Sequence, residues 1–336
     1  MPWYVYAGFV LVIAFLIYFD LSVLHRHAHA ISVKSALFWT GVWICMALLF
    51  NCVVYVLYQG NIVPESGVSQ TLSASDAALQ FFTGYLIEYS LSLDNIFVIA
   101  LIISSFRVPA EYQHRLLFWG ILGAVVLRGI MIWIGAELMH RFEWTVYLFG
   151  MLLIISAAKM LFSDDKEMNP DESFLIRTFR RFYPVTNEFH GQRFFAWVDG
   201  KKCATPMLLA LVLIEGSDVI FAVDSIPAVF GVTKDPFLVF TSNIFAILGL
   251  RSLYFALAGM MGHFEYLKYS LIVLLFFVGI KMLIAKWVHL SNGTSLGIIA
   301  AILAVGIIAS VIKGRRGNPQ TETGTLHLPE DDTSGS

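Results

Sequence analysis

The spacing of its apolar runs dominates what this chain can fold into. A bilayer core about 30 Å thick is crossed by roughly 20 apolar residues of helix, and runs of that length recur along nearly the whole sequence. Nine are expected, over 3–23, 36–57, 79–104, 116–139, 144–162, 205–229, 237–260, 266–288 and 296–312. They are continuous, which suits helices, whose backbone groups bond within the segment. Only 14% of the 336 residues are charged, against about 25% in a soluble domain. The expected fold is all-α: a polytopic membrane protein with a single transmembrane domain over 1–313 and a disordered polar tail over 314–336. The first run is too long for a signal-peptide core and lacks a basic flank, so it reads as a retained helix.

Lys and Arg in the loops set the orientation. Loops 25–35, 106–115 and 163–204 and the tail carry fourteen, whereas the alternate loops carry only Arg141 and Lys234. This places the N-terminus outside and the C-terminus in the cytoplasm. Loop 163–204, the one long connection, mixes acids, bases and aromatics. Two readings fit it: amphipathic helices at the membrane surface that dock partner proteins, or a solvated linker between halves. The net charge of −2 and the lack of a basic tract interleaved with aromatics argue against nucleic-acid binding.

An internal repeat joins the two sides of that loop. Glu88, Asp94, Asn95 and Ile96 have the spacing of Asp218, Asp224, Ser225 and Ile226. Further on, Met139, Phe142, Glu143, Tyr147, Lys159, Met160 and Leu161 recur as Met261, Phe264, Glu265, Tyr269, Lys281, Met282 and Leu283. Between these, Leu127-Arg128 matches Leu250-Arg251. The copies cover about 79–162 and 205–288. Three crossings per copy invert the second relative to the first, the pattern of transporters whose substrate site lies at the midplane between corresponding helices.

Those corresponding helices, the third and the sixth, hold the acids. Glu88 and Asp94 fall near the middle of one, and Glu215, Asp218 and Asp224 near the middle of the other. Each ionised group at that depth costs roughly 2.5–3.5 kcal/mol on insertion scales, so five together imply pairing, hydration, protonation or a bound cation. A six-residue step rotates about 240° around a helix, so neither Glu88 and Asp94 nor Asp218 and Asp224 share a face. A single cluster then requires a local break, for which Gly84, the run Ser90-Leu91-Ser92, Gly216 and Pro227 are the candidates. Arg128, Arg251, Lys159 and Lys281 supply partial charge balance. Carboxylates with Asn95 and Ser225 form a hard oxygen set suited to Mn²⁺, Mg²⁺ or Ca²⁺; Ser90, Ser217 and Asn243 are outlying oxygen donors. No resident cofactor is expected; the cation is cargo.

Other polar groups carry less. Cys45, Cys52 and Cys203 form no CxxC and read as buried small hydrophobes. His25 and His29 have chelating spacing if helical, but with His27 they read more simply as interfacial histidines.

The strings EYSLSLDNIFV (88–98) and EGSDVIFAVDSIPA (215–228), with TSNIFAILGLRSLYF (241–255) and GIKMLI (279–284), resemble the signature motifs of the TerC family of integral membrane proteins. The likeness spans nearly the whole chain and is nearest to the Alx branch, the alkali-induced proteins labelled membrane-bound redox modulators. It implies a bacterial cytoplasmic-membrane protein of the LysE-like transporter group, tied to manganese export and, among relatives, to tellurium resistance. The family's acidic positions fall on Glu88, Asp94, Glu215, Asp218 and Asp224. The leading expectation is a non-enzymatic exporter of a divalent cation, Mn²⁺ first, with protons returning on the same carboxylates. The alternative is a redox or stress modulator acting through partner proteins. An intramembrane aspartyl protease is disfavoured, because neither the YD nor the GxGD pattern is present.

Overall fold

The computed structural model describes residues 2–24, 33–59, 72–162, 173–198, 200–257, 265–288 and 290–316. Every one of the nine apolar runs contains helix. In chain order the elements are α1 (Trp3–Leu24), α2 (Val33–Gln59), α3 (Ala74–Ser105), α4 (Ala110–Arg141), α5 (Thr145–Phe162), α6 (Phe174–Phe182), β1 (Phe195–Val198), β2 (Lys201–Ala204), α7 (Pro206–Phe230), α8 (Pro236–Leu248), α9 (Leu250–Leu257), α10 (Glu265–Ile284) and α11 (Asn292–Arg316). Seven described helical segments are long and apolar enough to cross a membrane, counting α8 and α9 as one. The architecture is that of an all-α polytopic membrane protein.

Its exterior is apolar where a soluble protein would be polar. Val126, Ile130 and Trp133 on α4 and Met151 and Ile155 on α5 are all exposed, and a lipid-facing surface is the environment that tolerates such a continuous patch. Helix ends meet at two opposite sides of the bundle. At one, Tyr58 donates to Asp235 Oδ2 at 2.6 Å and Asn292 Nδ2 donates to Asp76 Oδ1 at 3.3 Å. At the other, Tyr254 donates to Gln113 Oε1 at 3.3 Å and Gln192 Nε2 donates to the Glu111 carbonyl. Successive helices therefore alternate in direction, as repeated crossing requires.

Small residues set the closest approaches, as is usual where helices associate in lipid. On α5 and α10, a Cβ on Gly279 would lie 2.9 Å from the Gly150 carbonyl oxygen, and one on Gly150 would lie 3.0 Å from that of Gly279. Gly150 also faces Leu283 while Ile154 faces Gly279, so the two helices run in opposite directions. Elsewhere α4 packs on α7, α8 packs on α3, and α3 and α7 touch each other.

Three expectations are corrected. The third and sixth segments are unbroken: α3 and α7 run through their acidic motifs without interruption. Gly84 serves close packing instead, since a Cβ there would lie 3.0 Å from Ser242 Oγ and Val229 Cγ1. Ser90 bonds back to the Leu86 carbonyl within its own helix, and Pro227 lies inside α7 only three residues before its C-terminal end, so its missing N–H does not break the helix at the acidic motif. The interruption lies in the seventh segment, at Gly249, two residues before Arg251. Loop 163–204 is also not a plain linker, because its described part forms α6 and an antiparallel hairpin pairing Phe195 with Ala204 and Val198 with Lys201. Finally, α11 extends to Arg316, so the first tail residues are helical; residues 317–336 lie outside the described part.

Candidate functional site

Of three apolar cores among the described residues, two lie one above the other along α3 and α7, with a polar layer between them. Along α3, Ile87 belongs to one core and Ile96 to the other; along α7, Ala222 and Ile214 divide in the same way. Glu88 and Asn95 on α3 and Asp218 on α7 fall at or between those positions, at the height where α4 presents Arg128.

Arg128 is the largest fully buried side chain among the described residues. Its Nε donates to Asp218 Oδ1 at 3.2 Å and Oδ2 at 3.1 Å, and its Nη2 donates to Oδ1 at 2.7 Å. Nη1 forms an ion pair with Glu88 and donates to Asn243 Oδ1 at 3.1 Å and Ser225 Oγ at 3.4 Å. Asn243 on α8 completes the ring by donating from Nδ2 to Glu88 Oε2 at 2.9 Å, and Asn95 Nδ2 reaches Asp218 Oδ1 at 3.3 Å. Glu88 and Asn243 have no exposed surface and Asp218 is 9% exposed. One guanidinium on α4 thus links three further helices, α3 and α7 through carboxylates and α8 through the Asn243 amide. Its planar fork matches paired oxygens better than a lysine ammonium would.

The other sequence-derived candidates are distributed around this network. Asp224, about one and two-thirds turns beyond Asp218, turns to α5, where Ser156 Oγ donates to its Oδ1 at 2.5 Å. Lys159 lies within electrostatic reach of it, with its own side chain exposed. The Glu215 carboxylate packs against Gly123 of α4, at a spot that any Cβ on Gly123 would occupy. Asp94 and Lys281 are half-buried on α3 and α10, and Arg251 is buried on α9. Arg251 shares a small cavity with Asp218, Gly120, Ala124 and Tyr254.

The five acids are therefore not gathered into one cluster. Because α3 and α7 stay regular, the 240° step within each motif sends its two acids toward different neighbours. Among the described residues no group of three or more His, Cys, Asp and Glu is placed to hold a metal ion. Two participants escape sequence reasoning in different degrees. Ser156 is marked in the sequence only as a lone hydroxyl in the apolar stretch of α5 before Lys159. Asn243 stands there only as an outlying candidate, yet it is the amide that bridges Arg128 and Glu88. His25, His27 and His29 lie outside the described residues. Cys45 and Cys52 are exposed, contrary to the expectation of burial, because their face of α2 looks outward; Cys203 is buried, and all three are free thiols.

Chemically, the layer is a set of oxygen donors neutralised by an internal cation. Fully buried ion networks contribute little net stability compared with apolar packing of the same volume, and ionisable residues at membrane depth are by default functional. Whatever removes Arg128 from Asp218 and Glu88 exposes hard anionic oxygens with Asn95, Ser225 and Asn243 alongside.

Comparison with known proteins agrees with the motif reading. Residues 73–318 match the integral membrane protein TerC family. An uncharacterized membrane protein of Myxococcus xanthus is 49% identical over 310 residues, covering 92% of each chain. Alx of Escherichia coli K12, a candidate membrane-bound redox modulator by name, is 44% identical over 307 residues, covering 90% of this chain and 92% of Alx. A membrane protein of Rickettsia bellii is 37% identical over 313 residues, covering 93% of this chain and 98% of its own. No solved structure matches. With its helical bundle, its two acidic motifs and a match across most of its length, the chain belongs to the TerC family of integral membrane proteins.

Proposed function

We propose that this protein exports a divalent metal cation, Mn²⁺ foremost, across the bacterial cytoplasmic membrane, with the N-terminus outside, the C-terminus in the cytoplasm and protons returning in exchange. The observation that carries the reading is Arg128 held between Glu88 and Asp218 in a polar layer between two apolar cores. In this account the guanidinium occupies the carboxylates while no cargo is bound. A divalent ion entering between α3 and α7 displaces it and takes Glu88, Asn95, Asp218 and Ser225 as oxygen ligands, with Asp94, Glu215 and Asp224 supplying ligands along its path. Arg251, Lys159 and Lys281 balance charge as the acids change partners.

Packing supports the inverted repeat behind this mechanism. A pseudo-two-fold exchanging the copies would pair α4 on α7 with α8 on α3 and set α3 against α7 and α5 against α10, and each of these contacts is among those present. Such repeats allow the two halves to rock about a fixed central site.

The test is flux of Mn²⁺, Mg²⁺ and Ca²⁺ into liposomes containing the purified protein. Asp94→Asn, Asp224→Asn and Asp218→Asn are expected to cut Mn²⁺ flux by about tenfold or more, since each removes a charge from the path. Unchanged flux in folded variants would remove the proposal.

A second reading, a redox or stress modulator working through partner proteins at residues 163–204, is favoured by the name of the Alx relative. It predicts that deleting 173–204 abolishes function while the carboxylate variants behave as wild type.

A further inference from the structure

The segment between the two halves does not lie flat on the bundle. Leu175 of α6 seats its side chain at Gly216, where a Cβ would collide with it. At the other end of α6, the Ala204 N–H donates to the Pro184 carbonyl at 2.8 Å and the Thr186 N–H donates to the Ala204 carbonyl at 2.9 Å. Gly216 lies ten residues, about 15 Å, along α7 from Pro206. Thus α6 runs beside the first turns of α7 in the opposite direction, with its start at the depth of Glu215. Ile176 is 1% exposed and joins the core that contains Met207, Leu213 and Ile214.

Phe179 packs against the same core, and the opposite side of α6 faces outward with a mixed chemistry. Arg177, Arg180 and Arg181 are exposed, together with Phe174 at 78% and Phe182 at 80%. The adjoining hairpin adds Trp197, 75% exposed, and exposed Lys201 and Lys202, with the Lys202 ammonium 4.5 Å from the Phe195 ring centroid. Residues 173–204 carry six Lys and Arg against two acids, Glu188 and Asp199. The end of α6 and the hairpin are level with the start of α7, where a spanning helix leaves the bilayer, and exposed aromatic rings beside guanidinium and ammonium groups there match the headgroup zone, where rings meet the acyl boundary and cations meet phosphate.

We propose that α6 and the β1–β2 hairpin are a docking surface for the phosphodiester headgroups of anionic lipids, and that the bound lipid holds Leu175 against Gly216. Arg177, Arg180 and Arg181 bind the phosphate, and Phe174, Phe182 and Trp197 enter the bilayer. Because Gly216 adjoins Glu215 and lies two residues from Asp218, lipid charge at the membrane surface is thereby coupled to the position of α7 in the polar layer. The proposal does not depend on what the protein transports.

The purified full-length protein is titrated with phosphatidylglycerol and with phosphatidylcholine, and bound lipid is counted by native mass spectrometry. Wild type is expected to prefer phosphatidylglycerol by about tenfold to a hundredfold, and high salt to weaken the preference. The folded variant R177Q/R180Q/R181Q loses it. Equal binding of the two lipids by wild type, or a preference retained in the triple variant, overturns the assignment and leaves the patch to a protein partner. Hydrogen exchange reads the coupling: phosphatidylglycerol slows exchange over 174–182 and 206–216 in wild type. In Leu175→Ala the lipid preference and the protection of 174–182 remain, while that of 206–216 is lost. Protection of 206–216 that is unaltered by this substitution refutes the lever.

Discussion

Replacing Arg128 by Met keeps an unbranched, flexible side chain, though a shorter one, and removes its charge. The guanidinium accounts for an ion pair with Glu88, three hydrogen bonds to Asp218 and one each to Asn243 and Ser225. Glu88 has no exposed surface and Asp218 very little, so water cannot replace what is lost. Removing one partner of a buried pair costs about 3–5 kcal/mol, chiefly because the remaining charge is left uncompensated. Here two carboxylates are left. The hydrogen bonds to Asn243 and Ser225 add little, since interhelical hydrogen bonds in membranes average ~0.6 kcal/mol. Arg128→Met is therefore expected to lose about 3–5 kcal/mol, measured by reversible unfolding in mixed detergent and SDS micelles. Adding Glu88→Gln and Asp218→Asn to the same chain should restore most of it, to within about 1–2 kcal/mol of wild type, because a whole buried network can be replaced at little net loss. Both substituted amides keep a carbonyl oxygen, so the Asn243 and Asn95 side chains retain acceptors at positions 88 and 218. An Arg128→Met variant as stable as wild type, or a triple variant less stable than the single one, would refute the assignment of Arg128 as the charge that holds the layer together.

Two further substitutions probe the frame around the layer. Gly279→Val puts a branched side chain against the Gly150 carbonyl and Leu153, with an expected loss of about 1–3 kcal/mol from overpacking; Gly297→Val, where a Cβ meets nothing within 4 Å, is the control and should be nearly neutral in the same unfolding assay. Asp235→Ala removes both the cap on the Phe237 N–H, 2.9 Å away, and the acceptor for Tyr58. It should cost about 1–2 kcal/mol, whereas Tyr58→Phe should cost less, and a double-mutant cycle should show the two to be coupled.

Much of the architecture is legible because a bilayer imposes a length and a composition on anything that crosses it. The nine apolar runs each hold helix, and the acidic motifs fall within α3 and α7. What sequence reasoning misjudges is local continuity. On intrinsic propensity Gly84, Gly216 and Pro227 read as breaks, but tertiary packing puts Gly84 against Ser242 and Gly216 against Leu175. Gly249, which nothing in its local sequence sets apart, marks the interruption. A glycine that lets a neighbour approach and one that ends a helix look alike in sequence. The long connection is similarly opaque, since nothing in residues 173–183 shows which of its two faces meets protein.

By itself the sequence determined how many acids and bases must share the membrane interior, and on which helices, because hydropathy and helical rise are local quantities. Only the tertiary structure decided the partners. Regular helices send Glu88 and Asp218 toward Arg128 while Asp224 turns to Ser156 on another helix. Such pairings depend on the rotation and depth of each helix against its neighbours. Those are set by steric fits such as Gly150 with Gly279, whose members stand more than a hundred residues apart.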